Sequence, residues 1–313
     1  MALTPYVTPN MLINAPTGVS WSIIPFPKAT TAQQLSEQTN ICTRATAIVD
    51  GYLNQVARCT VDNEQLSGPG SYRVQMENGT GNTRIILNRW PVTSILAIQV
   101  SANAVFPRQW KTIPAGMYDI DHPVLGLYQS SAPTGSADGG QTIMVAPGYG
   151  GWYQGRDGFR YLISYENGWP HTSLTQAASI GDSVLHVDDV TGWLGAVGTL
   201  YDSDNRESFT VTSVTATTPL ALPNNIGTVP SGPGTLTLSA PLAFNHVSGT
   251  VASTLPGSII WATMLYATAQ ALEAGITSVS IQNIPGSMTS GGKGIHDLLL
   301  EADLLLAPYK RVI

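Results

Sequence analysis

The chain has 313 residues, a net charge of −6 and only 11% charged side chains, against roughly 25% in ordinary soluble domains. A negative balance without any run of Lys or Arg excludes a basic nucleic-acid footprint. Two cysteines, Cys42 and Cys59, exclude a disulfide scaffold at this size.

Thirty-one glycines and 21 prolines favour turns and strands, and a surface so poor in charge points to faces covered by neighbours. No apolar run reaches the length of a bilayer span. Met1-Ala2-Leu3-Thr4-Pro5 lacks the basic and then apolar pattern of a secretory leader, so a cytoplasmic, unexported product is the expectation.

Residues 1–30 hold five prolines among apolar side chains such as Tyr6, Leu12, Trp21 and Phe26. Proline fixes φ and removes a donor, so an extended arm is predicted, lying on its own domain or on the next subunit. A helix is predicted from Thr31 to Gln55, capped by Thr30 or Thr31. Leu35, Ile41, Ala45, Ile48, Val49, Tyr52, Leu53 and Val56 form its apolar stripe.

From Tyr72 to Trp169 the period becomes two, in Arg84–Leu87, Arg89–Ser101, Met117–Ile120, Thr142–Val145 and Tyr161–Tyr165. These predict one small antiparallel sheet with a hairpin near Ser130–Gly140. Residues 172–255 form a second β unit with short strands at Thr175–Ser179, Ser183–Val187, Thr199–Tyr201, Ser208–Val214 and Thr235–Leu238, favouring a small barrel or sandwich. Six acidic residues there face Arg206 alone.

Helices return at Ile259–Ala274, with Gly275 as its C-cap, and at Ile295–Leu306. The predicted fold class is α+β. It has a helical core with a small antiparallel sheet (31–171 and 256–313) and an inserted all-β barrel or sandwich domain (172–255).

No catalytic arrangement is legible, and no enzyme activity is expected. The five histidines lack metal-binding spacing such as H-E-x-x-H. Asp202–Glu207 lacks the central Gly and distant Glu of a calcium loop, so it reads as an acidic turn. Gly148–Trp152 is no phosphate loop, and no cofactor or metal is predicted. Around it, Tyr149, Trp152, Tyr153, Arg156 and Phe159 suit a subunit or neck interface, packing under a loop, or less readily a sugar or base platform. Asp188, Asp189, Asp202 and Asp204 read either as a solvated face or as charge lining a DNA channel, repelling phosphates so that DNA slides.

Four stretches in order resemble the head-to-tail connector, or neck adaptor, proteins of tailed bacteriophages. They are Ala45-Ile48-Val49-Asp50-Gly51-Tyr52-Leu53, Leu87–Ile95, Arg160–Pro170, and the end Leu305-Leu306-Ala307-Pro308-Tyr309-Lys310-Arg311-Val312. The unit from His171 to Thr250, with its His246-Val247-Ser248-Gly249-Thr250 ending, is similar to a β module of phage structural proteins. Adaptors of this family lack that insertion, so its role is not carried over.

The resemblance implies a virion protein at the capsid vertex, assembled as a ring of twelve copies. Its partners would be the portal, a neck stopper or tail-completion protein, and packaged DNA passing without specific contact; no membrane is involved. It assigns portal docking to Leu305, Leu306, Tyr309, Lys310, Arg311 and Val312. The competing expectation is a carbohydrate-binding or adhesin-like β-rich phage protein.

Overall fold

The computed structural model describes residues 4–17, 19–21, 24, 28–67, 73–76, 83–101, 108–121, 142–145, 160–202, 205–273 and 294–311. The chain divides into two compact units. One comprises Met1–Ala57, Pro170–Thr215 and Pro233–Lys310; the other comprises Arg58–Trp169, Ala216–Gly232 and Arg311–Ile313.

In the first unit, helix α1 (Pro9–Asn14) opens on Thr8, whose hydroxyl accepts from the Met11 N–H at 3.3 Å. Tyr6, Val7, Leu12, Trp21 and Ile24 are buried, each contributing roughly 2 kcal/mol relative to exposure. The arm is sewn to helix α2 (Thr31–Leu53) by polar contacts. Tyr6 donates its amide to Thr46 Oγ1 at 3.0 Å, and its hydroxyl donates to Asp50. The same hydroxyl accepts from the Ala57 N–H at 2.9 Å, while Gln38 donates to the Trp21 carbonyl at 2.8 Å.

Thr30 and Gln33 cap α2 reciprocally, and Asn54 ends it in the left-handed region at φ 56°. The inward face carries Gln38, Ile41, Cys42, Ala45, Thr46, Val49 and Leu53. This face is rotated from the predicted stripe, which leaves Leu35 and Ile48 outside. Helix α3 (Gly257–Glu273) is buried around most of its circumference, from Ile259 through Ala271. Such a helix belongs in a core. Helix α4 (Ile295–Leu306) packs against α3 and α2.

The sheet of this unit has six strands in the order Val184–Val187, Gly234–Leu238, Arg206–Ala216, Val197–Tyr201, Val251–Ser253 and His171–Ser173. Alternation turns Leu185, Val187, Leu200, Phe209, Val211, Leu236 and Leu238 inward, as period-two strands with one wet face require. Thr175–Ser179 is not a strand; Leu174 and Ala178 make isolated bridges to Val187 and His246. The His246–Thr250 phrase is a clip. His246 exchanges both backbone hydrogen bonds with Ala178, and Gly249, at φ 87°, donates to the Leu174 carbonyl. Leu174 in turn donates to the Thr250 carbonyl at 2.9 Å. Only glycine enters that turn without strain.

The second unit holds two four-stranded antiparallel sheets and the hairpin Leu220–Ala221 with Thr228–Val229. One sheet runs Thr60–Ser67, Arg160–Asn167, Val92–Ser101, Lys111–Thr112; the other runs Val74–Met76, Thr83–Ile86, Thr142–Val145, Tyr118–Asp121. Ile85, Leu87, Ile98, Ile113, Tyr161, Ile163 and Tyr165 are the centre of its core. A polar clasp closes one side. Glu64 accepts from Tyr165, Arg73 and the Asn88 N–H, and Arg73 also donates to the Ile86 carbonyl. Burial, and then the Glu64 carboxylate, push the Tyr165 hydroxyl pKa up, so it stays a donor.

The predicted helical core with a small sheet is overturned. The described residues form sixteen strands and four α-helices, so the chain is mostly β. Thr60–Ser67 was the main omission, although it pairs with Arg160–Asn167 along all eight residues. Its sequence, TVDNEQLS, buries Leu66 alone, so it carries no apolar alternation to read. The remaining strands missed in the sequence are two or three residues long, below the window of any periodicity. The expected hairpin at 130–140 and the C-cap Gly275 lie outside the described residues.

Candidate docking surface

Helix α4 is apolar on opposite sides. Leu298, Ala302 and Leu306, one turn apart, face the core. Leu300 and Leu304, also one turn apart, are 51% and 67% exposed. Asp297 starts the helix by accepting from the Gly294 N–H at 3.2 Å.

The inner side is fixed by tyrosines. Tyr266 donates to the Asp303 carboxylate, and Tyr52 donates to the Asp303 carbonyl at 3.1 Å. Burial, then the Asp303 carboxylate, push the Tyr266 hydroxyl pKa up. Both hydroxyls therefore remain protonated at neutral pH and hold α4 to α3 and α2. The outward leucines are thus presented on a braced helix.

Other apolar residues are exposed on the same unit. Ile48 lies one turn before Tyr52 on α2 and is 41% exposed; Leu35 and Ile13 are more open still. Exposed leucines scattered singly mean little. A pair one turn apart on a braced helix is a different matter, because it forms a ridge that a groove can receive.

The predicted docking residues are distributed otherwise. Leu306 is fully buried and Leu305 half-buried. The Tyr309 hydroxyl accepts from Ser258 at 3.0 Å, and the Lys310 ammonium lies 4.7 Å from the Tyr52 ring centre. Arg311 donates to Asn88 at 2.9 Å within the second unit. Val312 lies outside the described residues, as do Tyr149, Trp152, Tyr153, Arg156, Phe159 and Asp204. Leu300 and Leu304 were missed, although their i, i+4 spacing opposite the inward stripe was legible.

The acidic residues have local partners. Asp188 accepts from Thr172 Oγ1 at 2.6 Å, the Ser173 N–H at 3.0 Å and the Thr4 hydroxyl. Asp189 accepts from the Thr191 N–H and hydroxyl at 3.0 and 2.6 Å. Asp202 lies 3.4 Å from His246 Nδ1.

Burial alone would raise the Asp188 pKa, but the hydrogen bonds from Ser173, Thr172 and Thr4 outweigh it and the pKa is lowered. A carboxylate whose folded pKa is depressed contributes its stability above the unfolded value of about 3.9, and loses it as pH falls through the folded pKa. Asp188→Asn should therefore be less stable than wild type at neutral pH, with the gap closing on acidification below about pH 4. Denaturant midpoints measured across that range test this; a gap independent of pH contradicts it.

Elsewhere, polar pairs are sealed. His171 Nε2 lies 2.9 Å from the Pro5 carbonyl, which can only accept, so Nδ1 accepts from the Ser253 hydroxyl at 2.9 Å. Both residues are buried, at 3% and 2% exposure, so this serine is not presented to a substrate. Burial pushes the Cys42 thiol up to about 12, far from a reactive thiolate. Among the described residues no cluster of His, Cys, Asp or Glu is arranged to hold a metal ion, and no helix is long and apolar enough to cross a membrane.

No protein-family model matches the chain, and neither a curated protein nor a solved structure is found to match it.

Proposed function

We propose that the chain is a structural subunit of the neck of a tailed bacteriophage, forming a ring of identical copies between the portal and the next neck component. The observation that carries the reading is the ridge of Leu300 and Leu304, 51% and 67% exposed on a helix whose other side is locked to its own core. An apolar ridge left open on a braced helix favours a protein partner.

Sparse charge supports the same reading, since a chain with only 11% charged residues suits a subunit flanked by neighbours. The four ordered phrases that resemble neck adaptors give the identity of the neighbours; a helical core is no longer part of that resemblance. The portal is assigned to the α4 side, in the place first given to Leu305–Val312. Packaged DNA would pass through the ring without specific contact, as the net charge of −6 favours.

Co-sedimentation of the purified chain with its portal tests the proposal. The portal peak should shift to a faster species containing both proteins in a fixed ratio. A portal boundary unchanged by excess chain would refute the reading.

A further inference from the structure

We infer that the first unit carries a binding site for a neutral saccharide ring, a property beyond the neck role and independent of it. An open cavity of about 260 Å³ lies between α1, the strands Val197–Tyr201 and Arg206–Ala216, and the start of α3. Its floor is apolar, from the buried side chains of Met11, Ile260 and Met264, and two half-buried aromatic residues, Tyr201 and Trp261, also line it. The polar residues lining it are Asn10, Asn14, Asp202 and Arg206.

Behind Asp202 lies a buried histidine. The His246 side chain is 0% exposed, with Nδ1 3.4 Å from Asp202 Oδ2 and Nε2 3.3 Å from Glu207 Oε2. Glu207 is committed away from the cavity, accepting from the Ala243 and Phe244 N–H groups at 2.6 and 3.2 Å. Asp202 lines the cavity and lies beside that buried imidazole. Arg206, the one cation between residues 172 and 255, sits with its guanidinium carbon 5.5 Å from the Tyr201 ring centre.

These groups select a ligand class. One carboxylate and one guanidinium cancel, so neither an anion nor a cation is favoured over a neutral molecule. Carboxylate, guanidinium and carboxamides are planar and offer paired donors and acceptors, which match adjacent hydroxyls. Apolar floor and aromatic residues suit the C–H face of a pyranose, and the volume suits one ring rather than a nucleotide.

The test is titration of the full chain with methyl glycosides of glucose, galactose, mannose and N-acetylglucosamine, followed by saturation-transfer NMR and tryptophan fluorescence. At least one glycoside should bind saturably. Asn14→Ala and Arg206→Ala change exposed side chains, so they should keep the melting temperature while weakening binding at least about tenfold. Acetate and methylammonium, offered as charged probes, should not compete. Lack of saturation by every glycoside, affinity unchanged in both variants, or displacement by acetate would each overturn the assignment.

Discussion

Gly198→Ala is expected to destabilise the first unit by about 3 kcal/mol or more, the upper range for overpacking a filled core. Gly198 lies on the strand Val197–Tyr201, opposite Phe209. A Cβ there would stand 2.5 Å from Trp193 Cζ3 and 2.8 Å from Phe209 Cζ, closer than real Cβ atoms come. Neither ring can step aside easily: Trp193 is fully buried and stacks on Phe209 with centroids 5.5 Å apart.

The glycine is required by this close approach of the indole, not by a positive φ. A fall in melting temperature of roughly 10 °C follows for a unit of this size. Trp193→Phe, which removes the indole atoms in the way but leaves Phe209 Cζ, should cost stability alone yet recover part of the loss in the double variant. Equal melting of wild type and Gly198→Ala would show that the strand and the tryptophan are not packed as described.

The second large effect is on assembly. Replacing Leu300 and Leu304 together by serine should abolish co-sedimentation with the portal while leaving the fold intact. Both side chains are exposed at 51% and 67%, so surface replacement costs within about 0.5 kcal/mol of stability. At a docked interface the same two side chains would be buried anchors, where each truncation costs on the order of 2 kcal/mol. Avidity around a ring multiplies that loss. Normal co-sedimentation of a well-folded double variant would remove α4 as the docking element.

Much of this was legible in the sequence, and the reasons for the rest are local. Helix α4 was predicted with its observed bounds, because the Gly/Ser-rich sequence ending at Gly294 marks its start. Helix α2 was found, and Ile41, Ala45, Val49 and Leu53 of its predicted stripe are buried, but the face is rotated from the one expected. Gln38, Cys42 and Thr46 are buried there, whereas an apolar reading preferred Leu35 and Ile48. The polar strand Thr60–Ser67 is specified by its partner Arg160–Asn167 and not by its own pattern, which is why the sheets were underestimated.

The cavity between α1 and α3 had no signal at all. Asn10, Asp202, Arg206 and Trp261 are brought together only by the fold. Similarly, Asp188 looked like surface charge, and only tertiary contact makes it an acceptor for Thr4 and Thr172.

Electron microscopy of the chain mixed with its portal tests the central claim most directly. The account predicts an added ring of density on one face of the portal, with α4 of every copy at the contact. Portal particles without added density, at chain concentrations in clear excess, would contradict it.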